Sequence, residues 1–285
     1  MTETQETNET LDSMPQAETA MVADGLPEKP TRDWRGWTVL GMAIAAGLSS
    51  LLGPVGAGWG LWNFGVGIQA QLLAAALAAL ALVLALIFAW AGKRSATPRP
   101  KMRRWLGTLI AIAMLGWLGS YLAAARGAPL HDVSTDLADP PQFKQLVVRA
   151  DNMDSVPGQD DPAMKAMTPE QRWVQLHQQL YGDIRSVRVN QNVGEVIAKA
   201  ERLASARGWD IALSLPAEGR LEATATSRLF KFKDDIVLRV RPTDKGDGSI
   251  VDMRSISRVG QSDLGVNAKR VRSFLADLSG TVTAG

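Results

Sequence analysis

Long apolar stretches fill the first half of the chain, and short alternating ones fill the second. Trp37–Trp59, Ile68–Ala91 and Trp105–Ala125 contain no charged side chain. Each has the ~20 residues that a helix rising ~1.5 Å per residue needs to cross ~30 Å of hydrocarbon. A soluble helix of that length would carry a polar stripe, so the pattern predicts three transmembrane helices. Trp34, Trp37, Trp59, Trp62, Trp90, Trp105 and Tyr121 cluster near the span ends, where amphipathic rings favour the interface. Trp117 alone lies well inside. No span carries an ionisable residue, which argues against ion-coupled transport. The first span holds Gly41, Gly47, Gly53, Gly56 and Gly58 with Pro54, a small-residue face suited to close packing on the other two.

Beyond residue 165 the period changes. "TPEQRWVQLHQQLY" opens a helix with Thr168 as N-cap, Pro169 at the first helical position and Gln171 closing a capping box. Asp183–Val189 is strand-like. Val193, Val196, Ile197, Ala200, Leu203 and Ala204 recur at helical spacing and stop at Gly208. Strands are expected at Trp209–Leu215, Arg220–Leu229, Ile236–Arg241 and Ser249–Arg258, joined by "PAEG" and "PTDKGDG" turns. A last helix is expected over Asp263–Leu278. Links this short force antiparallel pairing. The predicted fold class is α+β: three transmembrane helices, then an extracytoplasmic antiparallel sheet with helices packed on one face.

Alternation assigns the sheet faces. Leu221, Ala223, Ala225, Ile236, Leu238, Val240, Val251 and Met253 share the helix-covered side. Glu222, Arg239, Arg241, Asp252, Arg254 and Arg258 fall on the other, which reads as a solvated row. The row is either a lattice of cross-strand ion pairs or a surface for an anionic headgroup or protein partner.

Charge adds direction. The second connection, "KRSATPRPKMRR" at 93–104, carries six Lys/Arg and no acid, while the first, "NFGVGIQAQ", carries none. The positive-inside rule puts the basic loop and the N-terminus in the cytoplasm and everything after residue 126 outside. The expected localisation is therefore the bacterial inner membrane with a periplasmic C-terminal domain. Residues 1–33 form an acidic tail without aromatic residues before Trp34, expected to be a disordered cytoplasmic segment. The remaining divisions are 34–126 for the spans, 127–165 for a Pro- and Asp-bearing strap, and 166–285 for the α+β domain. From residue 130 onward bases and acids balance at 21 each, so no nucleic-acid footprint is expected despite a pI near 9.0. The absence of cysteine excludes disulfides, thiolate metal sites and thiol nucleophiles.

Candidate chemistry centres on "SISRVGQSDLGVNAKRVRSF". Gly260-Gln261-Ser262-Asp263-Leu264-Gly265 sits between strand and helix like a nucleophile elbow, but its second glycine comes one residue late. Both histidines, His131 and His177, precede the serine, contrary to the order an α/β-hydrolase needs. An anion cradle at the helix start would meet Asp263, so Ser262 or Asp263 as N-cap is the simpler reading. Asp234-Asp235 cannot enter one metal site from a strand, and in a turn they would cap backbone amides. His177 has Tyr181 rather than a ligand at i+4. No cofactor or metal is implied.

"GRLEATATSRLFKFKDDIVLRVRP" followed by "VDMRSISRVGQSDLGVNAKRVRSFL" resembles the bacterial and plastid family called domain of unknown function 1499. "VSTDLADPPQF" and "YGDIRSVRV" resemble earlier parts of its pattern, so the likeness spans most of 133–278. Many members carry a cysteine where this chain has Ser134-Thr135-Asp136. The resemblance supports the domain and implies no activity. The sequence thus points to an uncharacterised membrane protein presenting a binding or scaffold module to an envelope protein or lipid. The candidate surface comprises Glu222, Arg239, Arg241, Asp252, Arg254, Arg258, Ser262 and Asp263. The alternative is an envelope enzyme using the Asp252, Arg254, Ser255, Ser257 and Arg258 cluster within residues 252–263.

Overall fold

The computed structural model describes residues 33–92, 101–127 and 129–280. The acidic tail up to residue 32, and residues 93–100 of the basic loop, lie outside the described residues.

Three long apolar helices come first: α1 (Trp34–Gly58), α2 (Phe64–Gly92) and α3 (Met102–Gly127), each long and apolar enough to cross a membrane. They begin three or four residues earlier than the apolar runs alone suggest, because Asp33 caps α1 by accepting from the Gly36 amide and Asn63 accepts from Val66 at the start of α2. The small residues of α1 pack within the bundle: Ala43, Ala46 and Gly53 are buried, as are Ala74, Ala78, Ala81 and Ala85 of α2. A Cβ on Gly53 would come within 2.4 Å of the Ala70 Cβ. Pro54 has no N–H to give to the Ser50 carbonyl one turn earlier. Gln71 of α2 supplies the missing donor at 2.8 Å, and its carbonyl accepts from the Ser50 hydroxyl at 2.7 Å. A carbonyl left without a donor among apolar side chains is costly, so this clasp makes the proline tolerable.

The second half is an antiparallel sheet with helices. Its elements are β1 (Asp132–Ser134), α4 (Pro169–Tyr181), β2 (Val187–Val189), α5 (Val193–Ala206), β3 (Asp210–Leu215), β4 (Arg220–Thr226), β5 (Lys233–Pro242), β6 (Ser249–Ser257) and α6 (Val266–Ser279). The strand order is β1-β6-β5-β4-β3, with β2 also on β6. The two short strands share the outer edge of β6: β1 pairs with 254–256 and β2 with 249–251. Helices α5 and α6 cover one face. Val196, Ile197, Ala200, Val271, Phe274 and Leu278 bury against Leu221, Ile236, Leu238, Val240, Val251 and Met253. The alternation therefore has the expected phase.

Helix α4 serves the free edge of β1. The Thr168–Gln171 capping box starts it as expected. Trp173 Nε1 donates to the Asp132 carbonyl at 2.9 Å, and His177 Nε2 accepts from the Ser134 amide at 3.2 Å. The edge is closed by side chains where a further strand would otherwise pair.

Two expectations are corrected here. Asp234 and Asp235 lie in β5 and not in a turn, because the strand begins at Lys233. The last helix starts at Val266 and not at Asp263, because Leu264 (φ 59°) and Gly265 (φ 80°) are left-handed and cannot continue a right-handed helix.

The β4–β5 connection reaches the long apolar helices. The Ser227 amide donates to the Phe232 carbonyl and the Phe232 amide donates to the Ser227 hydroxyl, each at 2.8 Å. Phe230 and Phe232 stack at 4.9 Å, and Phe232 meets Phe64 of α2 edge-on at 6.2 Å. A Cβ on Gly58 would sit 2.4 Å from the Leu229 carbonyl oxygen, and one on Gly67 would sit 2.9 Å from the Phe230 ring. The sheet domain and the α1–α2 turn are thus neighbours at one end of the bundle.

Candidate functional site

The charged row of the sheet does share one face, but that face is not solvated. Residues 135–149 of the strap lie across it, and Glu222, Asp252 and Arg254 are buried. The strap's sequence has no period to announce this cover. What draws it there is the charge itself, since a sheet face with this many ionised groups needs partners before it can leave water.

Arg254, on β6, grips Asp132 with both branches of its fork, Nε to Oδ1 at 3.0 Å and Nη2 to Oδ2 at 2.7 Å. Asp132 also accepts from Asn152 at 2.7 Å, and Asn152 contacts His131 Nε2 at 3.0 Å. His131 Nδ1 lies 3.1 Å from the Gln261 carbonyl, which ties the strap to the turn before α6. Asp252 accepts from Arg239 at 3.1 Å, from Arg241 at 2.8 Å and from the Ser186 hydroxyl. Arg239 reaches up to Asp136 at 3.0 Å and Asp139 at 2.6 Å in the strap. Glu222 is enclosed by three consecutive strap amides, Lys144 at 2.5 Å, Gln145 at 2.9 Å and Leu146 at 2.9 Å. Such a row of N–H groups is an anion nest, and here the protein's own carboxylate fills it.

Arg258 pairs with Asp235 at 2.8 Å and donates to Thr224 at 3.2 Å; Asp235 raises its pKa. Arg241 and Arg258 are the open members of the row, with 47% and 41% of their side chains exposed. Asp234, one residue from Asp235, points to the helix side and binds Arg270 at 2.6 Å. Parity also separates Ser255 and Ser257 from Arg254. Both serines face the helices, where the Ser255 hydroxyl donates to Asn267 Oδ1 at 2.6 Å and the Ser257 hydroxyl accepts from Asn267 Nδ2 at 2.9 Å. The 252–263 cluster is therefore divided between two sides of the sheet.

Ser262 and Asp263 do hold the helix start, though from outside it. Ser262 Oγ accepts from Leu264 at 3.1 Å, and the Asp263 carboxylate accepts from Gly265 at 2.8 Å and Asn267 at 2.6 Å. This pins the two left-handed residues and satisfies the first free amides of α6. Burial raises the Asp263 pKa despite those amides. His177 goes the other way, with burial pushing its pKa down to about 4.

Residues 132–278 match the family model described as Protein of unknown function (DUF1499), more than half of the chain. The chain belongs to this family. No curated protein matches it. The DUF1499 match starts at the first residue of β1, so the covering residues 135–149 and the sheet beneath them fall inside the family's own span.

Sequence reasoning missed Asp132, Asn152, His131 and the amide nest around Glu222, which come from segments without periodicity. It also missed the contact of the β4–β5 connection with the α1–α2 turn. There a signal was available: Leu229, Phe230 and Phe232 are apolar residues in a hairpin turn, where polar ones are the rule.

Proposed function

We propose that the chain is a multi-pass protein of the bacterial inner membrane, with its N-terminus in the cytoplasm. Its α+β domain, residues 166–285 with the 127–165 strap, stands in the periplasm as a non-catalytic binding or scaffold module for an envelope protein or lipid. The observation carrying this reading is that the polar groups of the candidate site are already engaged with one another. Arg254 is held by Asp132, Asp252 by Arg239 and Arg241, and Glu222 by three amides. An enzyme would need such groups to converge on a substrate; here they converge on the strap. The open rim at Arg241 and Arg258 is what a partner would meet.

A photo-crosslinking residue at Arg241 or Arg258 in the full chain should give one discrete adduct in native membranes, and the same residue at Lys199 on the helix side should not. Turnover by the reconstituted protein on a hydrolase panel, abolished by Ser255→Ala or Asp252→Asn without unfolding, would overturn the reading in favour of the enzyme.

A further inference from the structure

The β4–β5 connection is long, apolar and basic at its tip, and nothing in the sheet explains why. Leu229 is exposed, Phe230 and Phe232 are half-buried, and Arg228, Lys231 and Lys233 are exposed. Among the described residues, none of the three bases has a carboxylate within salt-bridge distance. The tip rests on the end of α1 and the start of α2, beside Gly58 and Gly67. Trp59 and Leu61, in the turn between those helices, are 74% and 67% exposed. Where two apolar helices end in tryptophan and turn back, the surroundings are the headgroup layer of the bilayer. A cationic, aromatic loop held at that depth meets lipid phosphates.

We propose that Arg228, Lys231 and Lys233 form a headgroup site for an anionic phospholipid of the leaflet that the sheet domain faces. Leu229 and the Phe230–Phe232 stack seat the loop at the acyl boundary. The occupant is the bilayer rather than a soluble anion, because the site is continuous with the end of the membrane helices and its apolar half would be idle in water. The proposal rests on the membrane-module reading above and names its lipid partner.

Because the chain has no cysteine, a spin label on Leu229→Cys reports on this loop in the full-length protein. The protein is reconstituted in nanodiscs of phosphatidylcholine with or without phosphatidylglycerol. The expected result is headgroup-depth immersion that is tightened by phosphatidylglycerol and weakened by salt. Each basic side chain near an anionic surface is worth roughly fivefold, so Arg228→Glu/Lys231→Glu/Lys233→Glu, which also adds repulsion, should reduce the docked-to-free ratio by at least about a hundredfold. A label in bulk water in both lipids overturns the proposal. So does headgroup immersion indifferent to phosphatidylglycerol and to charge reversal, or an equal effect of inorganic phosphate on phosphatidylcholine discs. A second label at Leu61→Cys keeps the failures apart: if it stays at headgroup depth while Leu229→Cys is wet, the lipid site fails and the membrane anchoring stands.

Discussion

Arg254 and Arg241 occupy the same sheet face, and only the roof above them differs. Arg254 is buried on Asp132, whereas Arg241 is about half exposed on Asp252. Arg254→Ala leaves a buried carboxylate without its main partner, a loss of about 3–5 kcal/mol. Arg241→Ala removes a screened pair worth ~0–1 kcal/mol. Melting curves of the detergent-solubilised chain should show a large drop for the first and almost none for the second; equal shifts would mean that the strap does not seal the face. The alternation in "IVLRVR" and "SIVDMRSIS" is enough to put both arginines on one side. It says nothing of the cover, because "DLADPPQFKQL" carries no period. His177 gives a second prediction. Its imidazole is neutral in the fold, with a pKa near 4 against an ordinary 6.5. An unfolded chain takes up its proton first, so this contribution is complete above pH 6.5 and is lost as pH falls towards 4. At ~1.4 kcal/mol per pH unit the loss is roughly 3 kcal/mol. The raised carboxyl of Asp263 works in the opposite sense and offsets part of it. His177→Gln, which can still accept from the Ser134 amide, should flatten the acid side of a stability–pH curve. An unchanged slope would remove His177 as its cause.

Between strap and sheet, Glu222 and Arg239 are the two many-bonded fastenings. The two oxygens of Glu222 take the amides of Lys144, Gln145 and Leu146, each a charge-assisted bond of about 1.5–3 kcal/mol. Glu222→Ala should free those amides to exchange with solvent while leaving β4 and β5 protected. Hydrogen exchange resolved by peptide checks it, and unchanged protection at 144–146 would show that other contacts hold the strap. Helix boundaries were read well where side chains signal them, as with Thr168 and Gln171. The same signal stands in the sequence at Asn192 and Glu195, a capping box that opens α5. The start of α6 was placed early because Ser262 and Asp263 look like caps. They do receive amides, but the backbone reverses hand at Leu264 and Gly265 before the helix begins. Side-chain chemistry was legible there and backbone handedness was not.

Over the whole molecule, the apolar runs and the sheet class were plain in the sequence, because hydrocarbon thickness and the two-residue strand period leave direct marks. The docking of the sheet domain on the long apolar helices was not. It depends on small residues at Gly58 and Gly67, whose meaning appears only when Leu229 and Phe230 lie against them. Gly67→Leu should therefore drive the Phe230 ring out and raise protease access to the β4–β5 connection, with little effect on the sheet. The same docking puts the α1–α2 turn beside the sheet domain, so under the proposed three-span topology positions 61 and 199 share one side of the bilayer and the basic connection belongs to the other. Single cysteines at Leu61, Ser95 and Lys199 of the otherwise cysteine-free chain can be probed with a membrane-impermeant thiol reagent in intact, outer-membrane-permeabilised cells. Positions 61 and 199 should label from outside and position 95 only after lysis; labelling of 95 from outside, or protection of 199, would contradict a membrane-held domain facing the periplasm.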